Sequence, residues 1–93
     1  MRHAKRVDAN HAAITLALRQ AGWRVTDLSH VGHGCPDLVA EKPQRVVWIE
    51  VKDGSKPPSK RVLTDKEALW HALLIRADMD VRVIERVEQV AEI

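Results

Sequence analysis

The chain has 93 residues, 45% hydrophobic and 30% charged, with a formal net charge of +2 and a pI near 9.0. Those values suit one small globular domain and exclude a disordered tail, a collagen-like repeat and a chain built around a transmembrane span. A single cysteine, Cys35, excludes an internal disulfide framework and points to a reducing compartment, so the expectation is a cytoplasmic protein with no membrane partner. The mild basicity permits a polyanionic partner without demanding one.

From about Ala4 to Ala21, Val7, Ile14, Leu18 and Ala21 fall on one stripe at helical spacing, and Gly22 stops the helix. Asn10 and His11 lie on the edges of that stripe, with Asp8 just outside it. Trp23 to Leu28 alternates weakly and predicts a strand at or near a sheet edge. Ser29 to Cys35 is a loop whose two glycines can take positive φ. His30, His33 and Cys35 offer metal-ligand atoms there, but structural zinc takes four ligands, usually with paired cysteines.

Asp37 to Glu41 and Val46 to Lys52 predict a hairpin joined by Lys42-Pro43-Gln44-Arg45. Four apolar residues in a row, Val46-Val47-Trp48-Ile49, argue for a strand buried on both faces. It ends in charges: Glu50 and Lys52 project from one face and Val51 from the other. If Glu41 faces Val46, Asp37 stands opposite Glu50, where cross-strand side chains are close neighbours. Two carboxylates so placed repel unless a divalent cation lies between them. With Lys52 one pleat further on, this is the apparatus for metal-assisted phosphodiester hydrolysis. The bland alternative is a strand end whose Glu and Lys pair in solvent.

Asp53 to Arg61 is an irregular loop carrying Lys56, Lys60 and Arg61, placed to meet phosphate or simply solvated. Thr64 with Glu67 reads as the capping box of a second helix, whose Leu69, Trp70, Leu73, Leu74 and Ala77 form the face expected to cover the sheet. Leu16 and Ile75 lie off the stripes of their helices and suggest a subunit contact. Val81 to Glu85 predicts a last strand and Val87 to Ile93 a short terminal helix. The fold class is α/β, a mixed four-stranded sheet flanked by helices in the order α-β-β-β-α-β-α, as one domain.

Gly34-Cys35-Pro36-Asp37-Leu38-Val39 followed by Glu50-Val51-Lys52 resembles the PD-(D/E)XK nuclease signature. With Asp53-Gly54, Lys56-Pro57-Pro58 and Leu63-Thr64-x-x-Glu67-x-x-Trp70-His71, the chain from about Val7 onward is similar to the stand-alone phage type of virus-type replication-repair nuclease (VRR-NUC) domain. The resemblance implies a restriction-endonuclease-like core and a Mg²⁺-dependent DNA endonuclease, with Mn²⁺ able to substitute. It also implies 5′-phosphate products, a preference for branched DNA such as four-way junctions, a homodimer, and a bacterial or phage-infected cytoplasm. Asp37, Glu50 and the Val51 carbonyl would hold the metal, with Lys52 as the catalytic ammonium. The family's acidic residue near the first helix matches Asp8, although Glu is commoner there, and its other reading is a carboxylate favoured near a helix N-terminus. Family members often carry Gln where this chain has Glu67, which makes Glu67 a minor site candidate beside its capping role. Lys56, Lys60, Arg61 and His33 are the candidate nucleic-acid contacts. The rival readings are a non-catalytic nucleic-acid-binding module on the same fold, a zinc-dependent regulator using His30, His33 and Cys35, and an RNA-directed enzyme.

Overall fold

The computed structural model describes residues 7–93. Helix α1 (His11–Gln20) is followed by strands β1 (Arg24–Asp27), β2 (Leu38–Lys42) and β3 (Arg45–Val51). A 3₁₀ turn (Pro58–Lys60), helix α2 (Asp65–Arg76), strand β4 (Asp80–Ile84) and a 3₁₀ segment (Val87–Glu92) complete the chain. The order and the α/β class match the expectation from sequence. The last segment is 3₁₀ rather than α-helical, and it sends Val90 into the core.

The sheet runs β1-β2-β3-β4, antiparallel over its first three strands, with β4 parallel to β3. A parallel neighbour needs a long crossover, and α2 lies in it. The β2–β3 register pairs Leu38 with Ile49 and Glu41 with Val46, which meets the condition set out from sequence. The hairpin turn is tighter than expected: Lys42 still pairs with Arg45, leaving Pro43 and Gln44 as a two-residue turn with Gln44 at φ 63°.

Side-chain alternation divides the sheet into two unlike faces. One carries Val25, Leu38, Ala40, Val47, Ile49, Val51 and Ile84, which pack with Ile14, Leu18 and Val90 into the apolar core. Ile14 and Leu18, one helical turn apart and fully buried, are the anchors of α1, each contributing about 1.5–3 kcal/mol by removal from water. The helix is shorter than expected: it begins at His11, Val7 and Ala21 are exposed, and the part expected at residues 4–6 lies outside the described residues.

The opposite face carries Trp48 and Glu50 and lies under α2, where the predicted apolar face is not the one that turns inward. Leu69 and Leu73 are 61% and 55% exposed and Ala77 is exposed, whereas Glu67 and His71 are buried, with Trp70 and Leu74 half-buried. The reason lies in the sheet. Its charged residues Glu50 and Lys52 need polar partners when buried, and only the Glu67–His71 stripe supplies them. Trp70 lies against Trp48, ring centroids 6.5 Å apart, and its indole N–H donates to the His33 carbonyl at 3.0 Å. Among the described residues no helix is long and apolar enough to cross a membrane.

Candidate functional site

The site begins where the β2–β3 ladder stops. Pro36 has no N–H, so the regular ladder cannot continue through it. The Val51 N–H donates instead to Asp37 Oδ2 at 2.8 Å, while the Asp37 carbonyl accepts from Leu28 N–H at 2.7 Å. Asp37 is thereby fastened to the strands on either side. One step beyond the Leu38–Ile49 pair, the register sets Asp37 opposite Glu50, and the two are 5% and 1% exposed. On an antiparallel strand one residue's N–H and C=O point toward the same neighbour. The Val51 carbonyl thus faces the place where Pro36 offers no donor.

Lys52 continues the Glu50 face. Its ammonium donates to Glu67 Oε1 at 2.8 Å, with the two side chains 12% and 10% exposed. The same Oε1 accepts the Thr64 N–H at 2.9 Å, and the Glu67 N–H donates to Thr64 Oγ1 at 3.2 Å. The capping box and the site contact are therefore one arrangement, so the two readings of Glu67 coexist. Burial pushes the Glu67 pKa up. The hydrogen bonds from Lys52 and Thr64, the Lys52 charge and contact with Glu50 outweigh this and hold the carboxyl below the usual glutamate range. One turn along α2, His71 Nε2 is 3.7 Å from Glu50 Oε1. Burial holds this imidazole below its ordinary pKa; the Glu67 charge opposes that and the Lys52 charge adds to it, so the net effect favours the neutral ring.

The chain matches no protein-family model, no curated protein and no solved structure. What the site can do has to come from its own chemistry. Asp37, Glu50 and Glu67 against Lys52 leave two formal negative charges in a largely buried cluster, the charge a divalent cation neutralises. The donors are hard carboxylate and carbonyl oxygens, which suit Mg²⁺ or Mn²⁺. Among the described residues, no three His, Cys, Asp or Glu side chains are arranged to enclose a metal ion. An ion held here would complete its shell with the Val51 carbonyl, water or a substrate phosphate, as Mg²⁺ commonly does.

The other candidate residues have contacts of their own. Asp8 precedes α1, with its carboxylate 3.9 Å from Lys56 Nζ and its carbonyl accepting the His11 N–H. Arg61 pairs with Glu85 at 3.2 Å, and Lys60 is exposed at the end of the 3₁₀ turn. His30 and His33 are exposed, while Cys35 is buried. Two residues acquire site positions that the sequence reading did not assign. Asn10 stands at the N-cap of α1 but caps nothing; its Nδ2 donates to the carbonyls of Lys52 and Glu85, both at 2.9 Å, fastening the helix start to the ends of β3 and β4. His71 is the other, and its signal was present in the sequence as a polar residue four positions after Glu67, on the same helical face.

Proposed function

We propose that the protein is a divalent-metal-dependent DNA nuclease of the VRR-NUC type on a restriction-endonuclease-like core, working in the cytoplasm of a bacterial or phage-infected cell. One feature supports this reading above the others: two buried acids, Glu50 on β3 and Asp37 one step before β2, lie just past the Leu38–Ile49 pair, with an ammonium two residues beyond Glu50. Asp37, Glu50 and the Val51 carbonyl would hold Mg²⁺, or Mn²⁺ in its place. When bound, such an ion lowers the pKa of coordinated water and offsets phosphate charge.

The chain's own residues do the rest. Lys52 has three N–H donors and gives one to Glu67, which leaves donors for a phosphate oxygen and for the attacking water. An ammonium held this way stabilises charge that grows on the phosphate oxygens without having to reorganise. Lys56 and Lys60, in the segment that follows β3, supply sequence-independent attraction to backbone phosphate. The outward face of α2, with Leu69, Leu73 and Ile75 exposed, supports a second copy of the chain as a partner.

The test is cleavage of linear, flap and four-way-junction DNA and of matched RNA, in Mg²⁺ and in Mn²⁺, by the wild type beside D37A and K52A. Both variants are expected to remain folded and to lose at least about 10²-fold in rate, the scale for removing a transition-state contact. Full activity in both overturns the assignment. Retarded but uncut DNA, with every substrate and both ions, favours a binding module, and cleavage confined to RNA reassigns the substrate.

A further inference from the structure

On α2, Glu67 and His71 are four residues apart, a rise of about 6 Å along a helix. On β3 and just past it, Glu50 and Lys52 are two residues apart, a rise of nearly 7 Å along an extended chain. The two spacings match, and the side chains meet in pairs: Glu67 Oε1 on Lys52 Nζ at 2.8 Å, and His71 Nε2 beside Glu50 Oε1 at 3.7 Å. The first pair is a formed hydrogen bond. The second, at 3.7 Å, is about 0.5 Å beyond the usual upper limit for one.

His71 Nε2 is buried and has no hydrogen-bond partner, and its side chain is 9% exposed. Leaving a buried N–H unmade is costly, and Glu50 Oε1 is the acceptor that a small rotation of the ring would reach. A polar residue in the sheet-facing stripe of a helix that still has the exposed leucines Leu69 and Leu73 to spare is not explained by apolar packing; the buried charge of Glu50 opposite it is what a polar side chain there answers.

We infer that α2 is the aligning element of the site, with His71 as a positioning residue that donates Nε2–H to Glu50 as Lys52 is positioned by Glu67. The role in catalysis rests on the nuclease reading above, while the hydrogen bond does not. A carboxylate held on one oxygen by an imidazole keeps the other directed at the ion, which raises ion affinity and fixes ion geometry; outer-shell partners of this kind commonly matter by 10–100-fold. The loop before β2 is fitted to the same helix. A Cβ on Gly34 would come within 2.5 Å of the Lys66 backbone, and the His33 carbonyl receives the Trp70 indole.

The first arm of the test reads the imidazole directly. Long-range ¹H–¹⁵N NMR is expected to show neutral His71 with its proton on Nε2 in the wild type and a mixture of tautomers in E50A. A wild type with the proton on Nδ1 overturns the inference. The second arm compares H71L and H71Q for Mn²⁺ affinity by calorimetry, for kcat and KM on DNA, and for thermal unfolding. H71L is expected to bind Mn²⁺ at least about 10-fold more weakly and to lose kcat more than KM. H71Q, which retains a donor, is expected to recover most of both, although both variants melt within a few degrees of each other. A wild type that binds and cuts, with H71L indistinguishable from it, overturns this inference alone. A wild type that neither binds Mn²⁺ nor cuts DNA, with the Nε2–H tautomer intact, overturns the nuclease reading and the positioning role with it.

Discussion

Replacing Glu67 with alanine removes one oxygen that serves two partners, the Lys52 ammonium at 2.8 Å and the Thr64 N–H at 2.9 Å. Breaking a buried ion pair by deleting one partner costs about 3–5 kcal/mol, because the remaining charge stays buried. Losing a helix cap costs about 0.5–2 kcal/mol by itself. The two losses share an atom and will not add in full, so E67A is expected to destabilise by about 3–5 kcal/mol, from a total of about 5–15 kcal/mol for a domain. For a chain of this length that is a fall in Tm of at least about 12 °C. E67Q keeps the acceptor and loses only the charge, and its cost is expected near 1–2 kcal/mol.

The same residue gives a signed pH dependence. Its folded pKa lies below the usual glutamate value, so its contribution to stability is complete above that value and disappears as pH falls through the folded pKa. The gap between wild type and E67Q should therefore be full at pH 7 and close in acid, below about pH 4. Urea denaturation of the three proteins at several pH values measures both effects. An E67A protein within about 0.5 kcal/mol of wild type at pH 7 would refute the account of a buried, doubly used carboxylate.

Three other substitutions test separate parts of the structure. Gly34 has φ +84°, and a Cβ there would lie 2.5–2.8 Å from backbone atoms of Lys66 and Glu67, so G34A combines left-handed strain with displacement of α2; a loss of about 3–5 kcal/mol is expected by denaturation. N10A deletes two part-buried hydrogen bonds to the carbonyls just past β3 and β4 and should cost about 1–3 kcal/mol, with N10D worse because a carboxylate would then face the Lys52 and Glu85 carbonyls. The order of those two variants in urea is the check. L69E and L73E change exposed positions and should leave monomer stability within about 0.5 kcal/mol, while sedimentation equilibrium shows loss of self-association; an unchanged association state refutes the α2 face as the contact.

The hairpin was the most legible part of the chain. A run of Val46 to Ile49 followed by Glu50 and Lys52 at alternate positions specifies which face each residue takes, because a one-residue slip would bury the wrong set; a two-residue slip would not, so the pairing of Glu41 with Val46 was a condition that the fold meets. Given that pairing, the same count sets Asp37 one step past Leu38–Ile49, toward Glu50. The turn was less legible because backbone pairing persists through Lys42 and Arg45, whose side chains carry no apolar pattern to mark it. The start of α1 escaped because Asp8, Ala9 and Asn10 are compatible with a helix, and only the carbonyls of Lys52 and Glu85, far along the chain, draw the Asn10 amide away.

The rotation of α2 is the clearest case of information absent from local sequence. A helix with Leu69 and Leu73 on one side and Glu67 and His71 on the other has a well-defined polar stripe, and an isolated helix would turn its leucines to any apolar surface. Here the opposing surface carries Glu50 and Lys52, and desolvating those charges without partners would cost more than exposing two leucines. Sequence by itself determined the order of elements and the face taken by each strand residue, because those follow from periodicities of two and 3.6 residues, and it singled out Asp37, Glu50 and Lys52 as candidates. Tertiary structure alone decided which side of α2 meets them, since that choice depends on the charge of a surface assembled from residues 15 or more positions away.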